Sequence, residues 1–457
     1  MRPHDNEPES HPSRALPGSR SQGAVKWGLA ACRLSIAAAI MACGIACAGR
    51  TENVTNVAGL TGIVYAGGRN LQEVIDAIPP NSTIVCDLNE QLVFSSPLRI
   101  NKPLTLRKLC ARLPEKLGQT PLVIVTAKGV TISEFELTGN GDTVPQNQRA
   151  PLLVIGAGDF RVENGRLNNS SKDGIMIDGD VVGGGDLVGG VVRDIVGHNI
   201  IRDLVSISGS GGKGHRIRNV LVDNVRCHGS ALRGCVEVSD GTDNITVRKV
   251  YAEQCVYAVD VQDHGQPEQI NRNVVIEDVY ALRCKHAIRT SNRPLGHAYL
   301  TVRDITAKQC AAPIQISNTE SVTLSNVRVI DHDGKGHPVH LSNCSGASVR
   351  DVTLENTAHK GPGMLLADCD ATLVDGFGLR GSTENLTSAI CYRIASDRTF
   401  SGLRIGNVWA RGVKVAGILL ENTSKKGTLT DYIISGNLCT IADHIRGQRS
   451  AVTNNLP

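Results

Sequence analysis

The stretch over residues 242–318 repeats itself three times and decides the fold. Its blocks read Asn244-Ile245-Thr246-Val247-Arg248-Lys249-Val250-Tyr251-Ala252, Asn273-Val274-Val275-Ile276-Glu277-Asp278-Val279-Tyr280-Ala281 and Ala298-Tyr299-Leu300-Thr301-Val302-Arg303-Asp304-Ile305-Thr306-Ala307. The central residues Val247, Ile276 and Val302 are 29 and 26 residues apart. Alternating apolar residues within such a variable period predict a solenoid of short β-strands. Equivalent residues of successive coils then stack about 4.8 Å apart.

Polar residues recur at two positions of each coil and mark its bends. One row follows the last strand of each coil: Asp240, Asp263, Asn292, Asn318, Asn343 and Asp368. A second row lies between the other two strands: Asn224, Asp278, Asp304, Asn326 and Asp351, with Lys249 as the exception. Asn and Asp tolerate a left-handed backbone and bond to neighbouring backbone groups, which suits sharp turns. A third row, Cys255, Cys284 and Cys310, follows the inward pattern and is predicted to fill the interior.

This pattern resembles the right-handed parallel β-helix superfamily, which includes the pectate lyases and polygalacturonases, over about residues 60–445. The resemblance implies an all-β fold, a single-stranded right-handed parallel β-helix with coils of about 22–29 residues and an N-terminal capping helix. The expected organisation is an n-region and export signal over 1–48, a cap segment over 59–80, the β-helix over 81–445 and a loose tail over 446–457.

The composition fits this fold and argues against a nucleic-acid partner. The 457 residues carry a net charge of +4 with only 3% aromatic residues, and no basic run is interleaved with aromatic residues. Of the 14 cysteines, Cys32, Cys43 and Cys47 lie in the leader, and the other eleven are spaced by coil length. Eleven is an odd number and no Cys-x-x-Cys pair occurs, so free buried thiols are predicted rather than disulfides or a thiolate metal site.

The N-terminal segment predicts export from the cytoplasm. An apolar run over residues 34–48 follows basic residues and is too short to span a bilayer comfortably. It ends in the small-residue site Ala46-Cys47-Ala48, which is typical of a signal peptide. Ile40-Met41-Ala42-Cys43 could instead be a lipoprotein box that leaves Cys43 lipidated. The expected location is secreted, periplasmic or cell-envelope, with membrane contact only through an uncleaved or lipidated N-terminus.

One amphipathic helix is predicted at the start of the solenoid. Over residues 70–78 the apolar side chains Leu71, Val74 and Ile75 follow a helical period, Asn70 can cap the N-terminus, and Pro79-Pro80 ends the helix. A solenoid exposes an apolar end that must be covered, and this helix is predicted to cover it.

Candidate functional residues lie on the outward face of the last strand of each coil. Alternation places these side chains in one outward row: Met176, Ser206, Glu237, Asp260, Arg289, Gln315, His340 and Leu365. Glu237, Asp260 and Arg289 form an acid–acid–base run on three consecutive coils and are the predicted catalytic residues. The predicted substrate-binding residues are Asp178, Gln262, His264, Arg293, Gln315 and His340. No metal ligands are assigned.

Two chemistries fit this run, and a structural explanation competes with both. The pectate-lyase resemblance implies calcium held by carboxylates, with Arg289 taking the proton beside a uronate carboxylate. Two carboxylates could instead serve as acid and base on a glycosidic bond. A solvated ionic ladder needs no function, because exposed carboxylates about 5 Å apart repel by only roughly 0.8 kcal/mol in water.

The predicted function is an exported, carbohydrate-active protein, a polysaccharide lyase or glycoside hydrolase that acts as a monomer on a polysaccharide in a groove along one strand face. The alternative is a non-catalytic β-helix that binds glycan or mediates adhesion. The polygalacturonase pattern is incomplete: Gly197-His198 and Arg216-Ile217-Arg218 are present, but the chain has no Asp-Asp pair and the motifs are not in the matching register. Enzyme identity therefore depends on the site and not on the fold.

Overall fold

The computed structural model describes residues 56–57, 60–114, 120–141, 144–180, 185–209, 214–264, 269–290, 296–445, 448–453 and 455–456. The leader predicted over residues 1–48 lies outside the described residues. Within the described ranges, no helix is both long and apolar enough to cross a membrane. The predicted parallel β-helix is confirmed, because nearly every strand pairs in parallel with its equivalent one coil earlier and one coil later.

Two sheets run along the solenoid. Sheet 1 contains 20 described strands: Asn56–Val57, Leu60–Tyr65, Ser82–Cys86, Leu92–Val93, Leu104–Arg107, Cys110–Arg112, Thr131–Thr138, Phe160–Asn168, Leu187–Ile200, Ile217–Ser230, Thr242–Glu253, Arg272–Leu282, His297–Lys308, Thr319–His332, Ser348–Thr357, Leu373–Arg380, Thr399–Ser401, Arg404–Trp409, Thr428–Ser435 and Gln448–Thr453. Sheet 2 contains 14 described strands: Leu98–Ile100, Val123–Val125, Leu153–Ile155, Ile175–Asp178, Val205–Ser208, Gly234–Ser239, Tyr257–Gln262, His286–Thr290, Ile314–Ser317, Val339–Ser342, Met364–Ala367, Ser388–Ile394, Ala416–Asn422 and Ile441–Asp443. A single-turn 3₁₀ helix occupies Gln146–Gln148.

The polar rows form the bends that the sequence predicts. The backbone is left-handed at every member of the second row: Asn224, Lys249, Asp278, Asp304, Asn326 and Asp351. Each long strand of sheet 1 therefore turns a corner within its own length. Side-chain amides stack along these corners, as where Asn326 Nδ2 donates to Asp304 Oδ1 at 2.7 Å. In the first row, Asp240, Asn318, Asn343 and Asp368 are also left-handed.

One apolar cluster fills the interior from the first coils to the last. Successive layers are built from the inward side chains of both sheets, such as Val247 and Ile276 from sheet 1 and Val259 from sheet 2. Cys255, Cys284 and Cys310 are buried in this cluster as free thiols, as predicted. Equivalent residues stack directly on one another, which is why the coil length can vary without disturbing the core.

The capping helix forms over Leu71–Ala77, with Asn70 as its N-cap accepting a hydrogen bond from the Gln72 N–H at 2.9 Å. Its apolar face, which includes Val74 and Ile75, is buried against the first coils. At the other end, the sequence predicts a loose tail from residue 446. Within that tail the structure places the strand Gln448–Thr453, which pairs in parallel with Thr428–Ser435 and extends sheet 1.

Candidate functional site

The outer face of sheet 2 brings the predicted catalytic residues together. Glu237 pairs with Asp260, and Asp260 with Arg289, on three neighbouring parallel strands. Gln315 and His340 continue the same row on the next two strands. The alternation of the sequence therefore gives the correct register for all five side chains.

The two acids are buried, which the competing explanation of a solvated ionic ladder does not allow. The side chains of Glu237 and Asp260 are only 3% and 0% exposed, so a solvated ionic ladder does not describe them. They are buried because longer side chains from the adjacent coils and turns lie over them. The arginines Arg202, Arg233 and Arg289 cover this face, and each keeps 27–28% of its side chain exposed. Around Glu237 and Asp260, the face therefore presents guanidinium to solvent.

Glu237 is held by hydrogen bonds and by two arginines. Ser206 Oγ donates to its Oε2 at 2.9 Å, and the Arg233 guanidinium forms an ion pair with its Oε1. Arg202 lies 3.8 Å from Oε2. Both carboxylate oxygens are thus occupied by donors of the protein itself.

Asp260 and Arg289 form a bidentate ion pair. Arg289 Nε donates to Asp260 Oδ1 at 2.9 Å, and Arg289 Nη2 bonds to Oδ2. The Arg289 guanidinium also lies 4.7 Å from the ring centroid of Tyr257, a cation–π contact. Burial raises the pKa of Asp260 against the opposing effect of Arg289. The pKa of Arg289 is raised by Asp260 despite burial, which works against its predicted role as a proton acceptor.

A second layer of acids beneath this face escapes the sequence analysis. Asp173 and Asp203 are buried at equivalent positions just before their strands, and Tyr257 Oη donates to Asp203 Oδ1 at 2.7 Å. Burial and the charges of Glu237 and Asp173 raise the pKa of Asp203 well above its usual range. Asp173 and Asp203 are 30 residues apart, one coil, and each precedes its strand by two residues. This spacing is the signal that identifies them.

An acid–base pair that joins an exposed histidine to a buried carboxylate lies at one end of the face. Asp240 directly follows the strand Gly234–Ser239, and His264 Nδ1 lies 2.7 Å from its Oδ1. Because a carboxylate only accepts, Nδ1 carries the proton and Nε2 is the free base. The Asp240 hydrogen bond raises the pKa of His264 against the effect of burial, and more than half of the side chain is exposed. Sequence analysis singles out His264 but not its partner's role.

The remaining predicted binding residues are divided between the two ends of this face. Gln262 Nε2 lies 3.4 Å from His264 Nε2. Asp178 pairs with Ser208, which pairs with Ser239, so it lies two coils before Ser239 along the solenoid. Burial raises the pKa of Asp178. Burial, then Arg393, lowers the pKa of His340. Arg293 lies outside the described residues.

The calcium implied by the pectate-lyase resemblance does not fit these residues. Calcium needs six to eight oxygen ligands, while the oxygens of Glu237 and Asp260 are taken by Ser206 and arginines. Three guanidinium groups at the same place would oppose a divalent cation. In the described part of the chain, no group of three or more His, Cys, Asp or Glu side chains has a geometry that could hold a metal ion.

Fold and site together define a parallel β-helix protein with an arginine-covered, carboxylate-backed strand face. The pre-mature gene product 12 of bacteriophage phi29 is similar, with a TM-score of 0.51 and 11% identity over 82% of this chain and 62% of that chain. The N-terminal fragment of the same protein has a TM-score of 0.48 and 11% identity, over 82% of this chain and 65% of that chain. This chain therefore spans less than two thirds of either phi29 structure. A double mutant of the periplasmic alginate epimerase AlgG has a TM-score of 0.43 and 11% identity, over 87% of this chain and 85% of that chain. Neither a protein-family model nor a curated protein matches the sequence.

Proposed function

We propose that the protein is an exported, carbohydrate-active β-helix that acts on an acidic polysaccharide along the outer face of sheet 2. The observation that carries the proposal is the His264–Asp240 pair, with its exposed imidazole, beside three partly exposed guanidiniums that cover Glu237 and Asp260. Guanidinium binds carboxylates through paired charged hydrogen bonds, so this face favours a uronate-containing chain over a neutral one.

The chemistry proposed is removal of the proton next to a uronate carboxylate, as in a polysaccharide lyase. His264 Nε2 takes the proton, and Asp240 orients the ring and stabilises the imidazolium that forms. Asp240 raises the pKa of His264 and the charge of Arg233 opposes that shift; in the reaction, Arg233 would balance the charge that develops on the substrate carboxylate. As the carbon–carbon double bond forms, the bond to the glycosidic oxygen breaks and that oxygen takes a proton from water. His264 then releases its proton to solvent, and the product carries an unsaturated sugar end.

Glu237 and Asp260 take a positioning role in this proposal, and so differ from the catalytic role expected of them. They are buried and fully bonded to Ser206, Arg233 and Arg289, so they hold the guanidiniums in place and do not touch substrate. Hydrolysis by two carboxylates is less well supported for the same reason, because it requires an open acid and an open base at the glycosidic bond.

A non-catalytic glycan-binding role is the second candidate. It is favoured by the complete pairing of the carboxylates on the face, which would suit a rigid binding surface as well as a reactive one. Binding without turnover would then be the whole activity.

Incubation with polygalacturonate, alginate and a neutral glucan tests the proposal. A lyase releases unsaturated ends that absorb in the ultraviolet, a hydrolase releases reducing ends without that absorbance, and a binding protein co-sediments with the polysaccharide and releases neither. The proposal predicts unsaturated products from an acidic polymer. His264→Gln should abolish them, while His228→Gln, a partly exposed histidine on sheet 1, should retain most of the activity. Absence of both binding and turnover on every acidic polymer would refute the proposal.

A further inference from the structure

A cleft of about 590 Å³ opens where sheet 2 bends into sheet 1; it begins at Arg272, in the same bend as His264, and extends over the following coils. Its size is in the range of small-ligand sites in proteins. The side chains that matter for its chemistry are Arg272, Tyr299, Asn318, Glu320, Asn343 and Arg398. None of these residues belongs to the arginine-covered face described above.

The cleft carries two arginines that lack an ion-pair partner among the acidic residues the structure describes. Arg272 and Arg398 are exposed, and neither forms an ion pair with a described acidic residue. The Arg398 guanidinium lies 5.2 Å from the ring centroid of Phe400, which holds its direction. Glu320 is the acidic side chain that lines the cleft. Two positive charges against one negative charge leave the cleft suited to an anion.

Tyr299 occupies a position where its type of side chain is unfavourable. The register aligns it with Asn244 and Asn273 in the two preceding coils, and all three have a left-handed backbone. Asn adopts that conformation readily, whereas a bulky aromatic residue does so at a cost. The Tyr299 side chain is nevertheless half exposed, at 53%. An exposed ring at a strained position indicates a use outside the core, and stacking on a sugar ring is such a use.

The cleft follows the same edge of the solenoid as the His264–Asp240 pair. Asp240, Asn318 and Asn343 belong to one row of bend residues, and Asn318 is three coils beyond Asp240. At the spacing of neighbouring strands, three steps correspond to about 14 Å. The side-chain amides of Asn318 and Asn343 form no hydrogen bond with another described residue, which leaves them available for sugar hydroxyls. A saccharide chain that reaches His264 could therefore continue along this edge into the cleft.

We infer that the Arg272–Arg398 cleft is a distal binding site for an acidic oligosaccharide, with the guanidiniums on uronate carboxylates and Tyr299 against a sugar ring. The inference rests on the proposed ligand class but not on catalysis. It assigns the cleft to binding alone, because Glu320 is its one acid and the histidine among its lining residues, His297, has a side chain that is only 2% exposed.

Direct binding of an oligogalacturonate hexamer, measured by titration calorimetry on the full chain carrying His264→Gln, tests the inference without interference from turnover. The double variant Arg272→Gln/Arg398→Gln should weaken binding at least about tenfold, because charged hydrogen bonds to two carboxylates are lost. Tyr299→Ala should weaken it several-fold. Arg350→Gln, an exposed arginine outside the cleft, is the matched control and should leave the Kd within about twofold.

Unchanged binding by the double variant would overturn the inference, as would equal binding of a neutral cello-oligosaccharide of the same length. These outcomes are separable from failure of the proposed function. If the cleft variants weaken binding but the wild-type chain yields no product, the distal site stands and the lyase chemistry fails. If products form and the cleft variants bind normally, the lyase chemistry stands and the distal site fails.

Discussion

Replacing Asp260 by Asn should destabilise the protein by about 3 kcal/mol. The substitution keeps the side-chain shape but removes the charge that Arg289 binds through two nitrogens. Breaking a buried ion pair by removing one partner typically costs about 3–5 kcal/mol. The lower end applies because Arg289 is 28% exposed and can be partly rehydrated, whereas Asp260 is completely buried.

Guanidinium-chloride unfolding followed by circular dichroism measures this cost. Glu355→Gln is the matched control, since it breaks the 2.6 Å ion pair with Arg328 on an exposed part of sheet 1 and should barely move the midpoint. The double variant Asp260→Asn/Arg289→Met should be less destabilised than the single variant, because no uncompensated charge remains. A loss no larger than that of Glu355→Gln would refute the buried-pair account of this face.

Three further predictions concern the core, the cap and the pH dependence. A thiol reagent should label the buried Cys255, Cys284 and Cys310 only when the protein unfolds, whereas the partly exposed Cys110 should react in the native protein. Mass spectrometry of labelled peptides checks this, and rapid labelling of the three buried thiols would contradict the inward register. Deleting residues 59–80 should lower the melting temperature much more than deleting 448–457. The first deletion removes the buried contacts of Leu71, Val74 and Ile75, which contribute roughly 1.5–3 kcal/mol each. Equal losses of melting temperature would contradict the capping role. Burial lowers the pKa of His286 and His337 from 6.5 to about 4. Between these two pH values the unfolded chain binds a proton that the folded protein does not, so the stability present above pH 6.5 is lost as the pH falls through 4. His286→Gln should therefore reduce the slope of unfolding free energy against pH in that interval by up to about 1.4 kcal/mol per pH unit, and an unchanged slope would contradict it.

Register is the part of the structure that the sequence predicts best. The side chains of Val247, Ile276 and Val302 fix the inward face by alternation, and the bend residues Asp278 and Asn326 fix where each coil turns. Because stacked coils repeat the same local geometry, a pattern found in three coils extends to the rest of the solenoid. The row Glu237, Asp260 and Arg289 follows from the same alternation.

Burial on the outer face is the part that alternation does not predict. A period of two says which side of a strand a residue occupies, but not what lies over it. Arg202 and Arg233 come from the turns before their strands, and their long side chains reach over Glu237. The partnership of His264 with Asp240 likewise depends on two bends in successive coils. Only the spacing of Asp173 and Asp203 offers a sequence signal for the buried acids.

The pH dependence of turnover on the acidic polymer that the protein degrades tests the central proposal most directly. Since His264 must be neutral to accept a proton, kcat should rise with pH through its raised pKa. Asp240→Asn removes the carboxylate that raises this pKa and should shift the rising limb to lower pH, with a reduced maximum. His264→Gln should lower kcat by about 10²–10⁴-fold at an unchanged circular dichroism spectrum. Full activity of His264→Gln, or a rising limb that Asp240→Asn does not move, would contradict the account.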